Sequence, residues 1–416
     1  MYKESEYNIE HEINGEKYIY NSISKSFAKN ISNKTVQNML ENKELSEKEI
    51  CELLTNGLLV ERARNEIKEF EYLCKKHFFN SSELNIILVP TMNCNFDCSY
   101  CFEASHKNIK TKDNYFEILK KYSQKYFKFY RHIEISLFGG EPLLVKRELM
   151  DYLSYVRKLS EEYSFTYSSS ITTNGSLLDV EVLEDLVYHN CKSLQITIDG
   201  GKNSHDKTRS FKNGKPSFDL LINKINMILA PYIRENRFSF NLRINLNNNK
   251  EKEVYDTLKL INSDLRSNIT VIFRPIFNTE VYKEKNDNTL FSLNKFYEMG
   301  KKLGYKISKS NYFYRSCESC GDENFFYLLP NLTIWKCINK LSSSEAKIGE
   351  ISESGDFMLN AKNMIEWYNA TNCFDDQKCK KCKLLPDCLG GCILKKVLSG
   401  NRQCSPFELV SLPYFY

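Results

Sequence analysis

The sequence has few of the features that mark special classes of protein. Glycine (16 residues) and proline (9 residues) are sparse in a chain of 416 residues, which excludes collagen-like and low-complexity proteins. No apolar run approaches the ~18–20 residues that a membrane-spanning helix needs, so we expect no membrane partner. The first twenty residues alternate charged and aromatic side chains, unlike a signal peptide. A net charge of only +5 neither requires nor excludes nucleic acid.

Cysteine is the residue that the sequence has in excess, with 15 copies. Three fall within residues 94–101 and nine within the last hundred residues. Secreted disulfide frameworks are typical of short chains with a signal peptide, whereas closely spaced thiols are typical of metal centres. We therefore predict bound metal and, because such thiols oxidise readily, a low-oxygen cytoplasmic location. Cys51, Cys74 and Cys191 lie in helix-like segments and are expected to be small buried hydrophobic residues.

The first 80 residues read as a small α+β domain. The Asn14-Gly15 pair is a hairpin turn signal between strand-like residues 7–10 and 17–21. Residues 24–31 suggest a further short strand. Three helical patterns follow, at residues 34–42, 46–55 and 63–77, and the second opens with a capping box of Ser46 and Glu49.

Strands and helices alternate regularly over residues 81–309. The strand-like runs are residues 84–91, 132–138, 165–173, 193–199, 238–246 and 269–276. The helix-like runs are residues 114–130, 146–163, 180–189, 217–235, 252–266 and 293–303. Six successive β/α units predict an α/β fold with a parallel sheet in a partial (β/α)6 barrel, whose active site lies at the carboxyl ends of the strands. Residues 310–416 have short runs and many cysteines, so they predict a loop-rich domain that metal holds together.

A CxxxCxxC motif, made of Cys94, Cys98 and Cys101, follows the first predicted strand. Three cysteines on one loop can bind three irons of a cubane and leave the fourth iron open. A zinc site would need a fourth ligand, for which His106 is the only nearby candidate. The motif, with Tyr100 just before its last cysteine, resembles the radical S-adenosylmethionine (SAM) superfamily. The resemblance implies that the open iron binds SAM, that reduction releases a 5′-deoxyadenosyl radical, and that Tyr100 lies beside the adenine.

Further motifs at strand ends carry the same resemblance. The Gly-Gly-Glu sequence after the second strand is similar to the family's motif for the SAM amino group, because glycines allow close approach and a carboxylate meets a cation. The segments after the third and fourth strands resemble regions near the ribose and the methionine carboxylate. The implied SAM contacts are Gly139, Gly140, Glu141, Thr173, Asn174, Asp199, Arg209, Arg243 and Asn245. Alternatives to SAM contact remain open: Asn174 as a turn residue, Arg209 in a surface ion pair, and the others as ordinary strand residues. His205 is expected to be structural.

The C-terminal cysteines resemble the SPASM extension of radical SAM enzymes, which implies two auxiliary [4Fe–4S] clusters and three clusters in total. Carried over, auxiliary cluster I uses Cys317, Cys320, Cys337 and Cys392, and auxiliary cluster II uses Cys379, Cys382, Cys388 and Cys404. The short gap between Cys317 and Cys320, and Leu332 in place of a common glycine, depart from the pattern. One of these two cysteines could therefore be spare, leaving auxiliary cluster I open to a substrate thiolate. Cys373 is left over, and structural zinc is the alternative.

The resemblance implies a maturase of ribosomally made peptides. The N-terminal domain is similar to a winged-helix-like recognition element that binds a leader peptide as an added strand; a plain structural cap is the alternative. We predict hydrogen abstraction and a Cys sulfur-to-carbon thioether in a Cys-rich peptide, with an external electron donor such as flavodoxin or ferredoxin. The catalytic base is left open.

Other functions are weighed against this prediction. Sulfatase-maturating enzymes make formylglycine and have an Asp base after the third upstream cysteine, where this chain has Ile338. Carbon–carbon crosslinking and epimerisation of a peptide also remain open. A non-enzymatic electron-transfer module would bind iron without cleaving SAM. The chain lacks a basic stripe with stacking aromatics, so we expect no nucleic-acid partner.

Overall fold

The computed structural model describes residues 2–13, 16–29, 45–101, 103, 106, 108–246, 251–276, 293–308, 321–402 and 404. Its contacts divide the chain into two compact units. Unit 1 comprises residues 1–80, 311–323 and 365–416, and unit 2 comprises residues 81–310 and 324–364. The three-domain division at residues 80 and 309 groups the chain differently, and it stays a prediction. Within the described ranges, no helix combines the length and the apolar character needed to cross a bilayer.

Unit 1 begins with five short strands. They are β1 Tyr2–Glu4, β2 Asn8–Ile13, β3 Glu16–Asn21, β4 Phe27–Lys29 and β5 Leu59–Glu61. Strands β2, β3 and β4 form an antiparallel sheet, and β1 pairs with β5. Ile13 pairs with Glu16, the register that a two-residue hairpin loop requires. The loop residues themselves, Asn14 and Gly15, lie outside the described residues.

Two helices, Glu47–Thr55 and Glu66–Phe78, complete the N-terminal part of unit 1. Ser46 caps the first helix, and Glu49 bonds back to the Ser46 N–H, so the predicted capping box is confirmed. The predicted helix at residues 34–42 lies outside the described residues. Cys74 and Cys191 are buried as predicted, although Cys191 begins a strand, Cys191–Asp199, and does not lie in a helical segment. The prediction for Cys51 is wrong. Cys51 is exposed because it lies on a helix that buries none of its residues.

The cysteine-rich end of the chain belongs to the same unit as the first 80 residues. Its helical segments are Ala361–Thr371 (in unit 1 from residue 365), Cys373–Asp375, Gln377–Lys380, Leu385–Cys388 and Ile393–Ser399. One buried hydrophobic cluster combines Tyr7, Cys74, Phe78, Cys373, Phe374 and Leu385. Lys383 Nζ donates to the Asn8 carbonyl at 2.8 Å. Unit 1 is therefore built from segments that are far apart in sequence.

Unit 2 contains the predicted parallel sheet. Its strands are β6 Glu83–Leu88, β7 His132–Leu137, β8 Thr166–Thr173, β9 Cys191–Asp199, β10 Ser239–Leu246 and β11 Ile269–Pro275. They are parallel neighbours in chain order. The α-helices are Tyr115–Tyr126, Lys146–Tyr163, Val180–Tyr188, Lys202–Thr208, Phe218–Asn223, Ala230–Arg234, Glu251–Lys259 and Leu293–Lys302. The largely parallel α/β fold is confirmed.

The helix predicted at residues 217–235 is not continuous. A π-helical turn, Lys224–Ile228, separates its two α-helical parts. The Leu229 N–H donates to the Lys224 carbonyl, five residues earlier. Pro231, just beyond the turn, has no N–H to donate to a helical carbonyl, which explains why the regular pattern is interrupted here. Short 3₁₀ helices occur at Phe127–Phe129, Pro142–Val145, Ser263–Asn268 and Ser344–Ala346.

The sheet of unit 2 extends beyond the six predicted strands. The added strands are β12 Lys306–Ile307, β13 Phe325–Leu328, β14 Thr333–Trp335, β15 Lys347–Ile351 and β16 Phe357–Leu359. Strand β12 pairs with β11, and β13 pairs with β6 in parallel at the other side, followed by three antiparallel strands. The expectation of a loop-rich segment is wrong for residues 324–364. These strands are two to five residues long, too short to show a period in the sequence.

Candidate active site

Residues 94–101, which we call the cluster loop, follow β6 at its carboxyl end. Burial raises the pKa of Cys98 to about 12; the Arg209 guanidinium opposes the rise, and Asp199, Cys101 and Cys94 add to it. The three thiols of the motif are therefore close neighbours. The loop is fastened by two backbone hydrogen bonds, from Asp97 N to Ser210 O at 3.0 Å and from Ser99 N to Thr208 O at 3.1 Å. The Phe96 ring packs edge-on against Phe211, with centroids 4.7 Å apart.

The Gly-Gly-Glu turn lies against the backbone that leads into the cluster loop. Gly140 N donates to Thr91 O at 3.1 Å, and Glu141 N donates to Asn93 O at 2.8 Å. A Cβ atom on Gly140 would lie 2.1 Å from the Asn93 carbonyl oxygen. Gly139 has φ of +118°, which disfavours any side chain. The two glycines are therefore required for backbone packing, a reason that the sequence alone does not reveal.

Glu141 is fully buried and joins the ends of β7 and β8. Its Oε1 accepts from Leu143 N at 3.1 Å and from Thr173 Oγ1 at 2.8 Å, and its Oε2 accepts from Asn174 N at 2.7 Å. Burial raises the pKa of the carboxyl group, while the hydrogen bonds from Asn174, Thr173 and Leu143 oppose that rise. Glu141 and Thr173 thus hold the two strand ends together beside the cluster loop.

A second group of predicted residues forms what we call the polar network, at the ends of β9 and β10. Tyr100 Oη donates to Asp199 Oδ1 at 2.7 Å and accepts from Arg209 Nη1 at 2.9 Å and from Asn245 Nδ2 at 3.0 Å. Arg243 Nε donates to Asn245 Oδ1 at 2.8 Å. Burial raises the pKa of Asp199, and Arg209 is the main influence against it. The network brings Tyr100, Asp199, Arg209, Arg243 and Asn245 together.

His205 supports the polar network through hydrogen bonds to the Asp199 backbone and to Ser217. The Asp199 N–H donates to His205 Nδ1 at 3.1 Å, His205 Nε2 lies 2.9 Å from Ser217 Oγ, and Ser217 Oγ donates to the Arg209 carbonyl at 2.7 Å. Because Nδ1 accepts and the Ser217 hydrogen is used, Nε2 carries the imidazole hydrogen. Burial, helped by Arg209, lowers the pKa of His205 to about 3. Sequence reasoning missed Ser217, since no spacing ties it to a strand end.

The residues present fit SAM and a cubane cluster. Three neighbouring thiols are the donor set that iron–sulfur clusters use. Arg209 is buried, and among the described residues its Nε–H has no hydrogen-bond partner. A buried guanidinium with an unused donor beside Cys98 suits a carboxylate such as that of SAM. In the described part of the chain, no three His, Cys, Asp or Glu side chains meet as ligands of a single metal ion; a cubane instead binds each thiolate at a different iron.

The cysteines predicted for auxiliary cluster II are neighbours in unit 1. Burial raises the pKa of Cys388 to about 11; the Gly390 N–H opposes this, and the Cys382 and Cys404 thiols add to it. Cys388 in turn lies close enough to Cys379 to add to the rise in the pKa of the Cys379 thiol, which is caused mainly by burial. The structure thus brings these four cysteines together.

The other C-terminal cysteines are distributed differently. Cys337 is buried in unit 2, and Cys392 is half-buried in unit 1. Cys317 and Cys320 lie outside the described residues, so the ligand set of auxiliary cluster I stays a prediction. Cys373 is fully buried in the hydrophobic cluster of unit 1. Leu332, in the place of the family's common glycine, has φ of +67°, a conformation that glycine favours.

Comparisons with known proteins show similarity over the part of the chain that carries this site. Residues 88–261 match the model of the Radical SAM superfamily. The radical SAM cyclopropyl synthase TigE of Paramaledivibacter caminithermalis is 24% identical over 83% of this chain and 76% of its own length. A cysteine-type anaerobic sulfatase-maturating enzyme of Clostridium novyi is 25% identical over 74% and 87%. The crystal structure of Streptococcus suis SuiB bound to precursor peptide SuiA superposes with a TM-score of 0.55 at 16% identity, covering 96% and 98%.

Proposed function

We propose, from the premise that this chain is a radical SAM enzyme with its radical SAM domain at residues 88–261, that it modifies a ribosomally made, Cys-rich peptide. The superfamily implies SAM and a [4Fe–4S] cluster as cofactors. The observation that carries the peptide proposal is the construction of unit 1, in which a small antiparallel sheet and the cysteines at 379–404 share one compact unit. The likeness of fold to SuiB supports it.

The cluster loop and the polar network have separate tasks in this proposal. Cys94, Cys98 and Cys101 would hold the cluster, and Arg209 would hold the SAM carboxylate through its unused Nε–H. When bound, the cofactors supply a carbon radical that removes a hydrogen atom from the substrate. Asp199 and Asn245 fix the Tyr100 hydroxyl from two sides, so the aromatic ring is oriented before SAM arrives. Burial of these groups keeps water away from the radical.

The reaction that we propose is formation of a thioether. One C–H and one S–H bond of the peptide break and one C–S bond forms, so that the peptide loses two hydrogen atoms. One leaves as a hydrogen atom and the other as a proton and an electron. Auxiliary cluster II at Cys379, Cys382, Cys388 and Cys404, with auxiliary cluster I at Cys317, Cys320, Cys337 and Cys392, would supply an electron acceptor. These clusters bring the proposed total to three.

The remaining parts of the proposal concern organisation and partners. We assign residues 1–80 to a winged-helix-like domain that binds a leader peptide by strand addition, residues 81–309 to the partial barrel, and residues 310–416 to a SPASM domain. An external one-electron donor such as flavodoxin or ferredoxin reduces the first cluster. The oxidation-prone clusters favour the cytoplasm.

The test uses the full-length enzyme reconstituted without oxygen and given SAM, a reductant and each short Cys-rich peptide whose reading frame is found beside its gene. We expect a product lighter by two hydrogen atoms, with one free thiol lost per crosslink, as measured by mass spectrometry before and after thiol alkylation. Cys98→Ala should abolish 5′-deoxyadenosine formation, whereas Cys388→Ala should retain it and lose the thioether. An unchanged peptide mass contradicts the proposal, and a crosslink with the thiol count intact indicates carbon–carbon bonding instead.

Formylglycine formation is the second candidate, favoured by the 25% identity to the sulfatase-maturating enzyme of Clostridium novyi. The residue after Cys337 is Ile338, which is buried and apolar and cannot act as a base. An aldehyde in the product, detected by hydrazide labelling, would support this candidate against the thioether.

A further inference from the structure

The Asn174 side chain uses its whole hydrogen-bonding capacity within the protein. Its Oδ1 accepts from Ser176 N at 2.9 Å and from Ser176 Oγ at 2.6 Å. Its Nδ2 donates to Asn95 Oδ1 at 2.7 Å and to Cys94 Sγ at 3.7 Å. An amide has two N–H donors and two acceptor positions, so these four contacts leave none for another group. The Ser176 backbone N–H can only donate, which fixes the end of the amide that carries the oxygen.

The sulfur atom of Cys94 receives two hydrogen bonds from the protein. One comes from Asn174 Nδ2, and the other comes from the Phe96 N–H at 3.4 Å. Asn174 is buried and is held at its backbone as well, because its N–H donates to Glu141. The side chain that points at the sulfur is therefore fixed at both ends. Such groups behind a metal ligand orient the ligand and tune the metal.

The direction of the electrostatic effect follows from charge. A reduced cluster carries one more negative charge than an oxidised cluster, and part of that charge lies on the cysteine sulfurs. An N–H dipole directed at a ligating sulfur therefore stabilises the reduced state more than the oxidised state. Hydrogen bonds to the sulfurs are among the factors that set iron–sulfur reduction potentials. A donor on Cys94 makes a cluster bound there easier to reduce.

We propose that Asn174 is a positioning residue for the cluster ligand Cys94, and that its N–H···S hydrogen bond raises the reduction potential of the cluster bound by the cluster loop. This role replaces the SAM contact that the sequence resemblance implies for Asn174. The inference rests on the cluster at Cys94, Cys98 and Cys101 and is independent of which peptide the enzyme modifies.

The test compares Asn174→Leu, which removes both donors and keeps the number of side-chain heavy atoms, and Asn174→Ala, which removes both donors without adding bulk; neither variant adds a charge. Each full-length variant is loaded with iron and sulfide, and the midpoint potential of the first cluster is measured without SAM by electron paramagnetic resonance during a redox titration. SAM affinity is measured separately by equilibrium dialysis. We expect both variants to shift the potential to more negative values while SAM affinity stays within about twofold of wild type.

Asn245→Leu provides the opposite control, because Asn245 belongs to the polar network. It should lower SAM affinity by about fivefold or more, because the loss of one hydrogen bond has about that effect. It should leave the midpoint potential of the cluster unchanged. If Asn174→Leu loads no cluster, the smaller and uncharged Asn174→Ala carries the test. An unchanged midpoint potential in the loaded Asn174 variants, or a loss of SAM affinity like that of Asn245→Leu, overturns the proposal.

Discussion

The two cysteine-bearing regions of the molecule are held in place by different means. The cluster loop of unit 2 is fastened by backbone hydrogen bonds from neighbouring segments, including those to Ser210 and Thr208. The cysteines at 379–404 in unit 1 are fastened instead by side chains from the other end of the sequence. Tyr20 Oη donates to Asp387 Oδ1 at 3.1 Å, and Lys25 pairs with the same carboxylate. The first region should therefore be sensitive to backbone shape, and the second to single side chains.

The largest effect is expected from Gly140→Ala, which disrupts the packing of the Gly-Gly-Glu turn against the backbone at Asn93. The new Cβ would lie 2.1 Å from the Asn93 carbonyl oxygen, so the turn and the start of the cluster loop must separate. A displacement of about 1 Å at a reacting centre costs about 100-fold in rate. We expect a fall of that size in 5′-deoxyadenosine formation, together with loss of iron from the first cluster only.

Gly304→Ala is the control for Gly140→Ala. Gly304 also has a positive φ, of +90°, but no atom of the residues that the structure describes lies within 4 Å of its added Cβ. It should cost about 1–2 kcal/mol of stability from backbone strain and leave 5′-deoxyadenosine formation intact. Wild-type activity in Gly140→Ala would show that the loop does not depend on this packing.

A smaller and different effect is expected from Asp387→Ala in unit 1. The change removes the Asp387 carboxylate, which accepts from the buried Tyr20 hydroxyl and forms the ion pair with Lys25. Breaking a buried ion pair costs about 3–5 kcal/mol, and the partial exposure of Lys25 reduces this to about 2–3 kcal/mol. We expect loss of iron from the C-terminal cysteines with SAM cleavage retained.

The two tryptophans allow that loss to be measured unit by unit. Trp367 lies in unit 1 and Trp335 in unit 2, so fluorescence in a Trp335→Phe background follows the unfolding of unit 1. Tyr20→Phe removes a single hydrogen bond and should lower the free energy of unfolding by about 1 kcal/mol. Equal losses of both sets of iron in Asp387→Ala would contradict the separate fastening of the two regions.

The smallest effect is expected from Ser217→Ala, which acts on the polar network through His205. The change removes the acceptor of the His205 Nε2 hydrogen and the donor to the Arg209 carbonyl. One such hydrogen bond contributes about 1 kcal/mol, or about fivefold in SAM affinity. Burial lowers the pKa of His205 to about 3. The imidazole is therefore neutral at both pH 6 and pH 9, and the loss of affinity should be the same at the two pH values.

Ser123→Ala is matched to this change. Ser123 is buried in unit 2 and bonds to Leu119 O and to Tyr152 Oη, each at 2.9 Å, away from the strand ends. Both variants should lose similar stability, and only Ser217→Ala should lose SAM affinity in equilibrium dialysis. Equal affinities in the two variants would remove His205 and Ser217 from the supports of the network.

The parallel strands were predictable because their buried positions recur at every second residue along much of their length, as in β8 and β10, which is the period of a strand. Strands β8 and β10 lie within one residue of the predicted bounds. The pairing of β13 with β6 could not be predicted, since a strand of four residues has no visible period and its partner lies some 240 residues earlier. Long-range pairing depends on which chain surfaces meet, and one sequence carries no signal of that.

The sequence predicted which residues lie at the candidate site better than it predicted the hydrogen bonds that they make. The motifs placed Tyr100, Asp199 and Arg209 at strand ends, and the structure brings them into one network. The tasks of individual side chains depend on how many hydrogen bonds each already makes. Asn174 shows this, because two of its four hydrogen bonds go to Cys94 and Asn95, 80 and 79 positions earlier in the chain, and the other two come from Ser176. Asp387 and Tyr20, 367 positions apart, show the same.

The discontinuous make-up of unit 1 has a consequence for biosynthesis. Strands β6 to β11 are neighbours in chain order, so their sheet can grow as each strand leaves the ribosome. The N-terminal sheet emerges first. The hydrophobic cluster around Tyr7 is completed only when Phe374 and Leu385 have been made, and Tyr20 can donate to Asp387 only after that residue has been made. Closing a loop of that length also carries an entropic cost. Iron that arrives during translation therefore meets a finished cluster loop before the cysteines of unit 1 have been assembled.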